Sequence, residues 1–547
     1  MCGILGGSNP KWDYQKGISC MKHRGPDGMK VCPLEDFTLA FARLAIMDLS
    51  DNGMQPMFSE DYRIGIVFNG EIYGYQKLRN RLMKKGYRFH STSDTEVILN
   101  AYQEWGEKFI AHVDGMFAIA IYDKRDSTVR LFRDRLGIKP LYYFYDGKNF
   151  GFSSELKGIL NMCNTVSFTV DNTAVYDFLH YLYIPDPKTY YKNIYKILPG
   201  HRMIFSIHDR RIVKDSSYWR LDVNGIQGAR RRQSDLADEL KELVKESVEE
   251  QMVADVPVGT FLSGGVDSSI VTYEGYRVNP QLETFSVGFY DSRYNELEYA
   301  EELVDRYQLN KNSRIFGRNT FEQYYTQMKV WYDEPFADTS AFPTFLVSEM
   351  AKDKVAVALT GDGADEVFGG YDRYQFLRKR REKSVSLFGF RKDDLAVLLK
   401  QMVPATLIRD KELRERLGID KDYDALWAFR RYYFKDLPPI TRLQYLDLKT
   451  YLPGDILTKV DRASMAVSLE TRVPMLSRKL VEFSFSLTEE ERCPKGVQKG
   501  LLKKAYEEEI GKKLLYRPKQ GFGIPMHKVF GDEISCQEHI LEDIWGM

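Results

Sequence analysis

The stretch FLSGGVDSS, residues 261–269, decides the fold of the second half of this chain. It follows the strand-like run VPVGTFL and leads into the helical run SSIVTYEGY, so it predicts the turn of a strand–loop–helix unit. Gly264 and Gly265 let the backbone turn tightly and approach an anion closely. The free amides at the helix start would then bind phosphate together with the hydroxyl groups of Ser263 and Ser268. The alternative for SGG alone is a Gly-Gly turn capped by serines.

A second acidic loop favours the phosphate interpretation. Asp267 would repel phosphates unless it held a cation, which implies Mg²⁺. The loop LTGDGADEVFGGYDRY follows another apolar strand and contains Asp362, Asp365 and Glu366. Parallel topology puts both loops at one sheet edge, where clustered carboxylates need a metal or a cationic substrate. A Walker A motif is excluded because its lysine is missing. A Ca²⁺ loop is a rival, but its twelve-residue ligand pattern is absent.

The pattern around this stretch divides the chain into two domains. From Ser234 onward, helical runs such as LEYAEELVDRY alternate with strand-like runs such as ETFSVGF, which predicts a doubly wound parallel sheet. The part after about residue 375 is mostly helical and charged. Upstream, MFAIAIYDKRDSTVRLF predicts two strands around a turn, and many strands with few helices predict an α+β sandwich. The polar segment between them predicts a linker. The predicted boundaries are 2–205, 206–233 and 234–547.

Composition narrows the class of protein. The chain has 547 residues, and Lys+Arg and Asp+Glu both number 78, so neither nucleic acid nor a membrane is expected as the main partner. The longest apolar runs are strand-sized and the start has no signal-peptide pattern, so we expect a cytoplasmic protein. The cysteines and histidines have no zinc-site spacing. The sequence leaves the oligomeric state open, and a homodimer is one assembly that it allows.

The first residues, MCGILGG, raise the question of a thiol at the chain start. Removal of Met1 would leave Cys2 with both a thiol and an α-amine. That amine has a reference pKa of about 7.7–8.0, which suits it to take the thiol proton near neutral pH. Nucleophile and base would then lie on one residue. The alternative is that Cys2 is simply a small residue at a start.

Downstream residues complete a site for an amino-acid amide. Arg43 suits the substrate α-carboxylate by bidentate pairing. Asp94, with Glu71, suits the α-ammonium group, and the Asn69 side chain with the Gly70 N–H suits an oxyanion. Each has an ordinary alternative: a strand-edge salt bridge for Arg43, a hairpin turn for Asn69-Gly70 and a helix cap for Asp94.

These motifs carry a family resemblance. SGGVDSS resembles the pyrophosphatase loop of enzymes that cleave ATP to AMP and pyrophosphate. With TGDGADEVFGGYDRY, LTKVDRASMAVSLETRVPML and RPKQGFGIP, it resembles the synthetase domain of glutamine-hydrolysing asparagine synthetases. MCGI, KHRGPDG and NGEIY resemble the glutaminase domain of class II amidotransferases. The resemblance implies an α+β N-terminal-nucleophile glutaminase sandwich, then an α/β doubly wound ATP-pyrophosphatase domain with a helical C-terminal part.

In that family ATP adenylates the side-chain carboxylate of aspartate, and ammonia, delivered through an internal channel, displaces AMP. The resemblance assigns four sets of residues, which are the phosphate and Mg²⁺ loop (Ser263, Gly264, Gly265, Asp267 and Ser268), the adenosine flank (Leu262 and Val287), the nucleotide-contacting pair (Thr360 and Gly361) and a further Mg²⁺ ligand (Asp365). The chemistry also needs a cation beside the charge that develops on phosphorus. Lys459 and Arg462 are both candidates, since some relatives place a lysine at the position of Arg462.

Three functions remain open at this point. The first is a glutamine-dependent asparagine synthetase that uses ATP and Mg²⁺. The second keeps both chemistries but amidates another carboxylate, such as a sugar acid. The third is a non-catalytic binding protein on the same scaffold, and the intact Cys2, Asn69, Asp94 and SGGVDSS argue against it.

Overall fold

The computed structural model describes residues 1–223, 231–291, 294–374 and 410–518 and the single residue Trp545. The motif RPKQGFGIP lies largely outside these residues, which include only its first two members, Arg517 and Pro518. The described residues form a layered β region at the start of the chain and an α/β region after it.

Antiparallel strands build the first region. They are β1 (Gly3–Gly7), β2 (Gly28–Pro33), β3 (Thr38–Arg43), β4 (Met57–Phe58), β5 (Ile64–Ile72), β6 (Gly115–Asp123), β7 (Thr128–Arg133), β8 (Tyr142–Tyr145), β9 (Phe150–Ser153), β10 (Ile194–Lys196), β11 (His201–Ser206) and β12 (Arg211–Ser217). One six-stranded sheet has the order β10-β8-β9-β1-β3-β2 and the other has the order β12-β11-β7-β6-β5-β4. One apolar cluster contains Ile4 and Phe41 from the first sheet and Val67 and Ala120 from the second, so the sheets form a sandwich.

The hairpin predicted from MFAIAIYDKRDSTVRLF is confirmed. β6 and β7 pair antiparallel, with Asp123 opposite Thr128 at the turn. The strand predicted from RIGIVFNGEIY continues further than expected: β5 includes Asn69 and Gly70, which pair with Ala118 and Phe117 of β6. The hairpin-turn alternative for these two residues is therefore wrong, because they lie inside the strand.

The predicted linker over 206–233 begins too early. β12 lies inside that segment and pairs with β11 at the edge of the second sheet. Its residues alternate between exposed and half-buried, as in an edge strand with one face in water. Such a strand is polar enough to resemble a loop in sequence. Residues 224–230 lie outside the described part of the chain, and a helix begins at Gln233.

A five-stranded parallel sheet organises the second region. Its strands are β13 (Val258–Phe261), β14 (Glu283–Phe289), β15 (Asn310–Phe316), β16 (Val357–Leu359) and β17 (Glu470–Arg472). The order β15-β14-β13-β16-β17 confirms the predicted doubly wound sheet. The chain runs from β13 to β14 on one side and places β16 on the other, so the order reverses at β13. Ligands of open α/β sheets bind outside the carboxyl ends of the strands at such a point.

Helices cover both regions. The α-helices of the described residues span Tyr14–Ser19, Tyr75–Met83, Asp94–Trp105, Leu156–Met162, Asn172–Tyr181, Gln233–Gln251, Val266–Val278, Leu297–Tyr307, Arg318–Tyr325, Met328–Tyr332, Ala341–Lys352, Ala364–Phe368, Asp410–Leu417, Trp427–Arg430, Pro439–Lys449, Leu457–Met465, Arg478–Ser486, Glu489–Arg492, Gly500–Ala505, Glu507–Ile510 and Lys512–Leu515. A π-helical turn, Leu452–Ile456, precedes the helix Leu457–Met465. Beyond residue 409 the described chain is mostly helical, as predicted.

The two regions share one apolar core. A single cluster of buried residues contains Leu44, Ile46 and Met116 from the first region together with Leu236 and Leu359 from the second. The interface between the regions is therefore packed like a protein interior. In the part of the chain that the structure covers, every helix is too short or too polar to cross a membrane.

Candidate active sites

Cys2 lies where β1 enters the centre of the first sheet. β1 pairs with β3 and β9, which fixes the chain start between them. The Cys2 backbone N–H donates to Asn69 Oδ1 over 2.9 Å, and the Leu44 N–H lies 3.4 Å from Cys2 Sγ. The structure thus brings the predicted nucleophile and the predicted oxyanion residue together, although they are 67 positions apart in sequence.

Asn69 and Gly70 lie where they can donate hydrogen bonds to a bound oxygen atom. Asn69 is fully buried, and its Nδ2 has no hydrogen-bond partner among the described residues. Gly70 has a φ of 149°, and a Cβ there would lie 2.0 Å from the Met116 carbonyl oxygen. Only glycine fits this close approach of β5 to β6. A buried amide donor beside the thiol is the arrangement that an oxyanion requires.

Arg43 ends β3, next to Leu44. Its guanidinium donates to the backbone carbonyl oxygens of Ser50, over 2.8 Å, and Asp48. These acceptors are carbonyl groups, so the strand-edge salt bridge considered for Arg43 does not describe its contacts. They hold the loop after β3 against the thiol site and leave the guanidinium charge without a carboxylate among its hydrogen-bond partners in the described residues.

Asp94 and Glu71 supply the negative charge of this site. Asp94 begins the helix Asp94–Trp105, but the side chain that caps this helix belongs to Ser93, so the cap alternative for Asp94 is wrong. Asp94 Oδ2 accepts the Ile72 N–H over 2.9 Å. Burial, together with the charge of Glu470, raises the pKa of Asp94 to about 7. Burial and the same neighbour also raise the pKa of Glu71 well above its usual range.

The chain start reaches across to the second region. Met1 is buried, and its ammonium group pairs with Glu470 Oε2 of β17 over 2.8 Å. Burial alone would raise the pKa of Glu470. The positive charges of the Met1 ammonium and Arg472 have the larger effect and lower this pKa to about 2. Burial raises the pKa of the Cys2 thiol to about 11. With Met1 in place, Cys2 has an amide rather than an amine and its thiol stays protonated.

A second site lies at the carboxyl edge of the parallel sheet. The cavity there has a volume of about 560 Å³. Nine of the residues predicted to bind nucleotide or metal line it: Leu262, Ser263, Gly265, Asp267, Ser268, Val287, Thr360, Gly361 and Asp365. This volume lies within the range of small-molecule sites, about 300–1,000 Å³.

The loop after β13 is held open by its serines. The hydroxyls of Ser263 and Ser268 lie 3.0 Å apart, and the Gly265 N–H donates to Ser263 Oγ over 3.3 Å. Gly264 lies at a left-handed backbone position in this loop, as a tight turn requires. It has a φ of 77°, and a Cβ there would lie 2.8 Å from the Ala300 N, so it packs against the helix Leu297–Tyr307. Gly264 therefore shapes the loop from outside the cavity lining.

The two acidic loops touch each other. A Cβ on Gly361 would lie 2.8 Å from both Asp267 Cβ and the Ser268 N, so glycine allows the loop after β16 to reach the loop after β13. The Thr360 N–H donates to the Arg472 carbonyl oxygen over 2.9 Å, which ties this loop to β17. Burial, with the charge of Asp365, raises the pKa of Glu366 to about 7.

Lys459 and Arg462 face different surroundings. Lys459 lines the cavity, where its Nζ lies 3.4 Å from Asp338 Oδ2. Burial disfavours its charge, but Asp338 and Asp362 raise its pKa above the usual value. Arg462 instead pairs with Glu155 over 2.9 Å and Asp333 over 3.2 Å, between the two regions. Of the two predicted cations, Lys459 is the one that lines the cavity together with Ser263 and Gly361.

Sequence reasoning missed Lys499. Its Nζ lies 2.5 Å from Asp267 Oδ2 and 2.7 Å from Asp365 Oδ1, so the two carboxylates predicted to hold Mg²⁺ converge on one point. Burial disfavours the ammonium, yet Asp267 and Asp365 raise its pKa above the usual value. In sequence Lys499 lies in the run GVQKGLLKKAY, where a solvated helix is the simpler interpretation.

Together these sites define a class of enzyme. A thiol and an amide donor in an N-terminal sandwich suit hydrolysis of a glutamine amide, and a phosphate-binding loop at a parallel sheet edge suits activation of a carboxylate by a nucleotide. Joined in one chain, they define an amidotransferase that attaches nitrogen to an activated acceptor.

The comparisons with known proteins then give the family. The profile described as asparagine synthase matches residues 239–543, and the one described as glutamine amidotransferase domain matches residues 1–219. The chain is 33% identical to asparagine synthetase [glutamine-hydrolyzing] 1 of Bacillus subtilis, over 98% of this chain and 89% of that protein. It is 36% identical to a putative asparagine synthetase [glutamine-hydrolyzing] of Methanocaldococcus jannaschii, over 85% of this chain and 98% of that protein. The chain belongs to the asparagine synthase family.

Proposed function

We propose that this enzyme forms asparagine from aspartate, with nitrogen from glutamine and with cleavage of ATP to AMP and pyrophosphate. The observation that carries the proposal is the presence, in one packed body, of a Cys2–Asn69 thiol site and a cavity lined by two nucleotide-type loops. The relatives named for this reaction match over nearly the whole chain, which favours aspartate over another carboxylate as the acceptor.

The proposed first half-reaction needs Met1 to be removed. The freed α-amine of Cys2 would take the thiol proton, which the buried thiol does not lose by itself because its pKa is about 11. Sulfur then attacks the side-chain amide carbon of glutamine, and the C–N bond breaks as ammonia leaves with the transferred proton. Water hydrolyses the thioester and releases glutamate.

We propose that the surrounding residues take the roles expected from the sequence. Arg43 would pair with the α-carboxylate of glutamine, and Asp94 with Glu71 would hold its α-ammonium. A cation there would return both carboxylates to their ionised forms, since burial raises their pKa values. Asn69 Nδ2, buried beside Cys2, and the Gly70 N–H would stabilise the oxyanion.

The proposed second half-reaction takes place in the cavity. ATP would lie across the loops of Ser263 and Gly361, with Leu262 and Val287 beside the adenosine. A carboxylate oxygen of aspartate attacks the α-phosphorus and pyrophosphate leaves, which gives an acyl adenylate. Ammonia attacks the acyl carbon and AMP leaves. Lys459, charged and close to both loops, would stabilise the negative charge on the phosphorus.

Mg²⁺ fits the carboxylates of this cavity. Asp267 and Asp365 both reach one cation position, which Lys499 Nζ takes in this structure. One or two carboxylates plus substrate phosphates are the ligands that Mg²⁺ usually has in nucleotide enzymes. When bound, the ion would neutralise charge on the phosphate oxygens. The structure describes no group of three or more His, Cys, Asp or Glu placed to hold a metal, so substrate would have to complete the coordination.

Ammonia must pass from Cys2 to the cavity without meeting water, since protonation would remove its nucleophilic lone pair. Met1 belongs to the apolar cluster that includes Leu44, Met116 and Ile138 at the interface of the two regions. Its removal would free volume next to the thiol and in front of β17. This position supports the internal channel that the family resemblance implies.

The remaining proposals concern partners and location. Glutamine, ATP and aspartate are the expected small-molecule partners, with neither nucleic acid nor a membrane among them. The described cysteines, Cys2, Cys20, Cys32, Cys163 and Cys493, are free thiols, which favours a reducing compartment such as the cytoplasm. A homodimer remains one assembly to test by sedimentation.

The test is formation of AMP with defined acceptors. Purified enzyme, whose loss of Met1 is checked by intact mass, is given ATP, Mg²⁺ and an ammonium salt with aspartate or with a panel of other carboxylates, including sugar acids. We expect aspartate to support AMP release and asparagine formation. Release with another acceptor and none with aspartate would replace the proposal by the alternative amidotransferase.

A further inference from the structure

Arg24 links the thiol residue to the helix that carries Lys459. This arginine belongs to the motif KHRGPDG, and its side chain is fully buried. Its Nε donates to the Cys2 carbonyl oxygen over 3.2 Å. Its other two nitrogens donate to both carboxylate oxygens of Asp461, over 2.8 and 3.1 Å. Such a two-point pair fixes relative orientation as well as distance.

Asp461 and Lys459 lie on opposite faces of one helix. They are two positions apart in Leu457–Met465, which corresponds to about 200° around the helix axis. Lys459 therefore points into the cavity while Asp461 points to the first region. A movement of Asp461 has to move the backbone of Lys459, because the helix is one hydrogen-bonded body.

The connection is reinforced at a neighbouring carboxylate. Glu155 Oε1 accepts from Arg24 over 2.9 Å and pairs with Arg462 of the same helix over 2.9 Å. The Glu155 side chain is 1% exposed and the Arg24 side chain is 0% exposed, so water screens these pairs little. The whole contact is thus a desolvated network of ion pairs that joins the two regions.

The helix begins next to a turn of unusual geometry. The π-helical turn Leu452–Ile456 runs directly into Leu457. Single π-helical turns are rare and are frequently found at functional sites, so this turn marks the junction where the helix that carries Lys459 and Asp461 begins.

We propose that the Arg24–Asp461 pair couples the two active sites: acylation of Cys2 shifts its carbonyl, Arg24 transmits the shift to Asp461, and the helix repositions Lys459. The inference rests on the proposed function of both sites. By thermodynamic reciprocity, substrates in the cavity act back through the same pair on the binding of glutamine at the thiol site. Arg24 and Asp461 are positioning residues, since neither lines the cavity among its described residues.

The test measures coupling separately from either reaction. For wild type and Asp461→Asn, glutamate release is followed with and without ATP plus acceptor, and pyrophosphate release is followed with glutamine and with an ammonium salt. We expect Asp461→Asn to retain ammonium-dependent pyrophosphate release within about threefold. Its ratio of glutamate to pyrophosphate should rise by about fivefold or more, and ATP plus acceptor should no longer change the KM for glutamine.

Asp177→Asn is the matched control. Asp177 is also a fully buried carboxylate, paired with Lys188 over 2.9 Å. It accepts hydrogen bonds from Tyr423 and Trp427 of the second region, and none of these partners contacts Cys2 or Arg24 among the described hydrogen bonds and ion pairs. It should lose stability without a change in the ratio. If Asp461→Asn does not fold, Asp461→Glu is measured, and it should give an intermediate ratio.

The outcomes separate the inference from the proposed function. An unchanged ratio in a folded Asp461 variant, or an equal rise in Asp177→Asn, overturns the coupling role while wild type still makes asparagine. A wild type in which ATP plus acceptor leaves the KM for glutamine unaltered also overturns it. A wild type that releases no pyrophosphate with any nitrogen source contradicts the proposed function instead.

Discussion

The thiol site and the nucleotide cavity hold their charges in opposite ways. At the thiol site, the carboxyl groups of Asp94 and Glu71 have raised pKa values, because burial disfavours their ionised forms and the charge of Glu470 adds to this effect. In the cavity, Lys459 and Lys499 have raised pKa values, because carboxylates surround them. The first site therefore favours a cationic ligand, whereas the second contains two lysines whose charges are already balanced by carboxylates.

The two sites also differ in how closed they are. Cys2 lies half-buried at the start of β1, between the buried Met1 and the buried strand residues that follow. The cavity is large, about 560 Å³, and is formed by loops at a sheet edge. A large cavity formed by loops suits a site that must hold two substrates together.

The substitution Cys2→Ala should distinguish the activities of the two sites most clearly. Loss of the nucleophile should lower glutamate release by on the order of 10⁴-fold or more, since no other group forms the thioester. Ammonium-dependent AMP release should continue, because the cavity keeps all its residues. Equal glutamate release by wild type and variant would refute the nucleophile, and loss of both activities in a folded variant would refute the separation.

The next largest effect is expected at Lys459. Lys459→Met should lower AMP release with either nitrogen source by roughly 10²–10³-fold, the size found when one preorganised stabiliser of a transition state is removed. Glutaminase activity without ATP should remain.

Arg462→Met is the matched comparison. It leaves the buried Glu155 and Asp333 without one of their cations and should destabilise the fold by about 3 kcal/mol, measured by denaturant unfolding. A stable Arg462 variant with the loss of AMP release expected for Lys459 would reverse the assignment of the two residues.

A pH profile tests the charge of the thiol site. Because the pKa of Asp94 is raised to about 7, this group is protonated and neutral below that pH and ionised above it. Glutamine kcat/KM should therefore fall by more than about tenfold per pH unit below 7, because protonation of Asp94 removes the partner of the substrate ammonium in addition to protonation of the Cys2 amine. Ammonium-dependent synthesis at constant free ammonia serves as the control. A flat glutamine profile across this range would contradict the role of Asp94.

The smallest effect concerns Lys499. Lys499→Met removes the buried ammonium that Asp267 and Asp365 share, so the metal-free protein should lose stability. We expect a loss of about 1–2 kcal/mol, because the two carboxylates are partly exposed and water still solvates them. Added Mg²⁺ should raise the melting temperature of the variant more than that of wild type. Lys503→Met, which also changes a lysine of the cavity lining, is the control. The same Mg²⁺ response in all three proteins would contradict the shared position.

Local patterns were enough for much of the architecture. The β6–β7 hairpin and the helix Leu297–Tyr307 follow directly from periods of two and 3.6 residues, and the strand–helix alternation gives the parallel sheet. Both nucleotide loops also follow from the sequence, since topology alone brings the ends of β13 and β16 together. The edge strand β12 was not predicted. One of its faces lies in water, so its sequence is as polar as that of a linker.

Tertiary contacts decide what the sequence left open. Whether Lys459 or Arg462 enters the cavity depends on the rotation of one helix, which Glu155 and Asp338 fix from distant parts of the chain. The packing role of Gly264 depends on the helix Leu297–Tyr307, and Lys499 reaches Asp267 from 232 positions away. No local pattern contains such partners.

The shared apolar core has a consequence for dissecting this protein. Family comparisons divide the chain into segments 1–219 and 239–543, which invites expression of each segment as a module. A cut between them would expose Leu44, Ile46 and Leu236 to water, and would strip Arg472 of its neighbour Glu71. We therefore expect truncated halves to aggregate and the intact chain to unfold in one transition. The two family segments are therefore expected to form one cooperative folding unit.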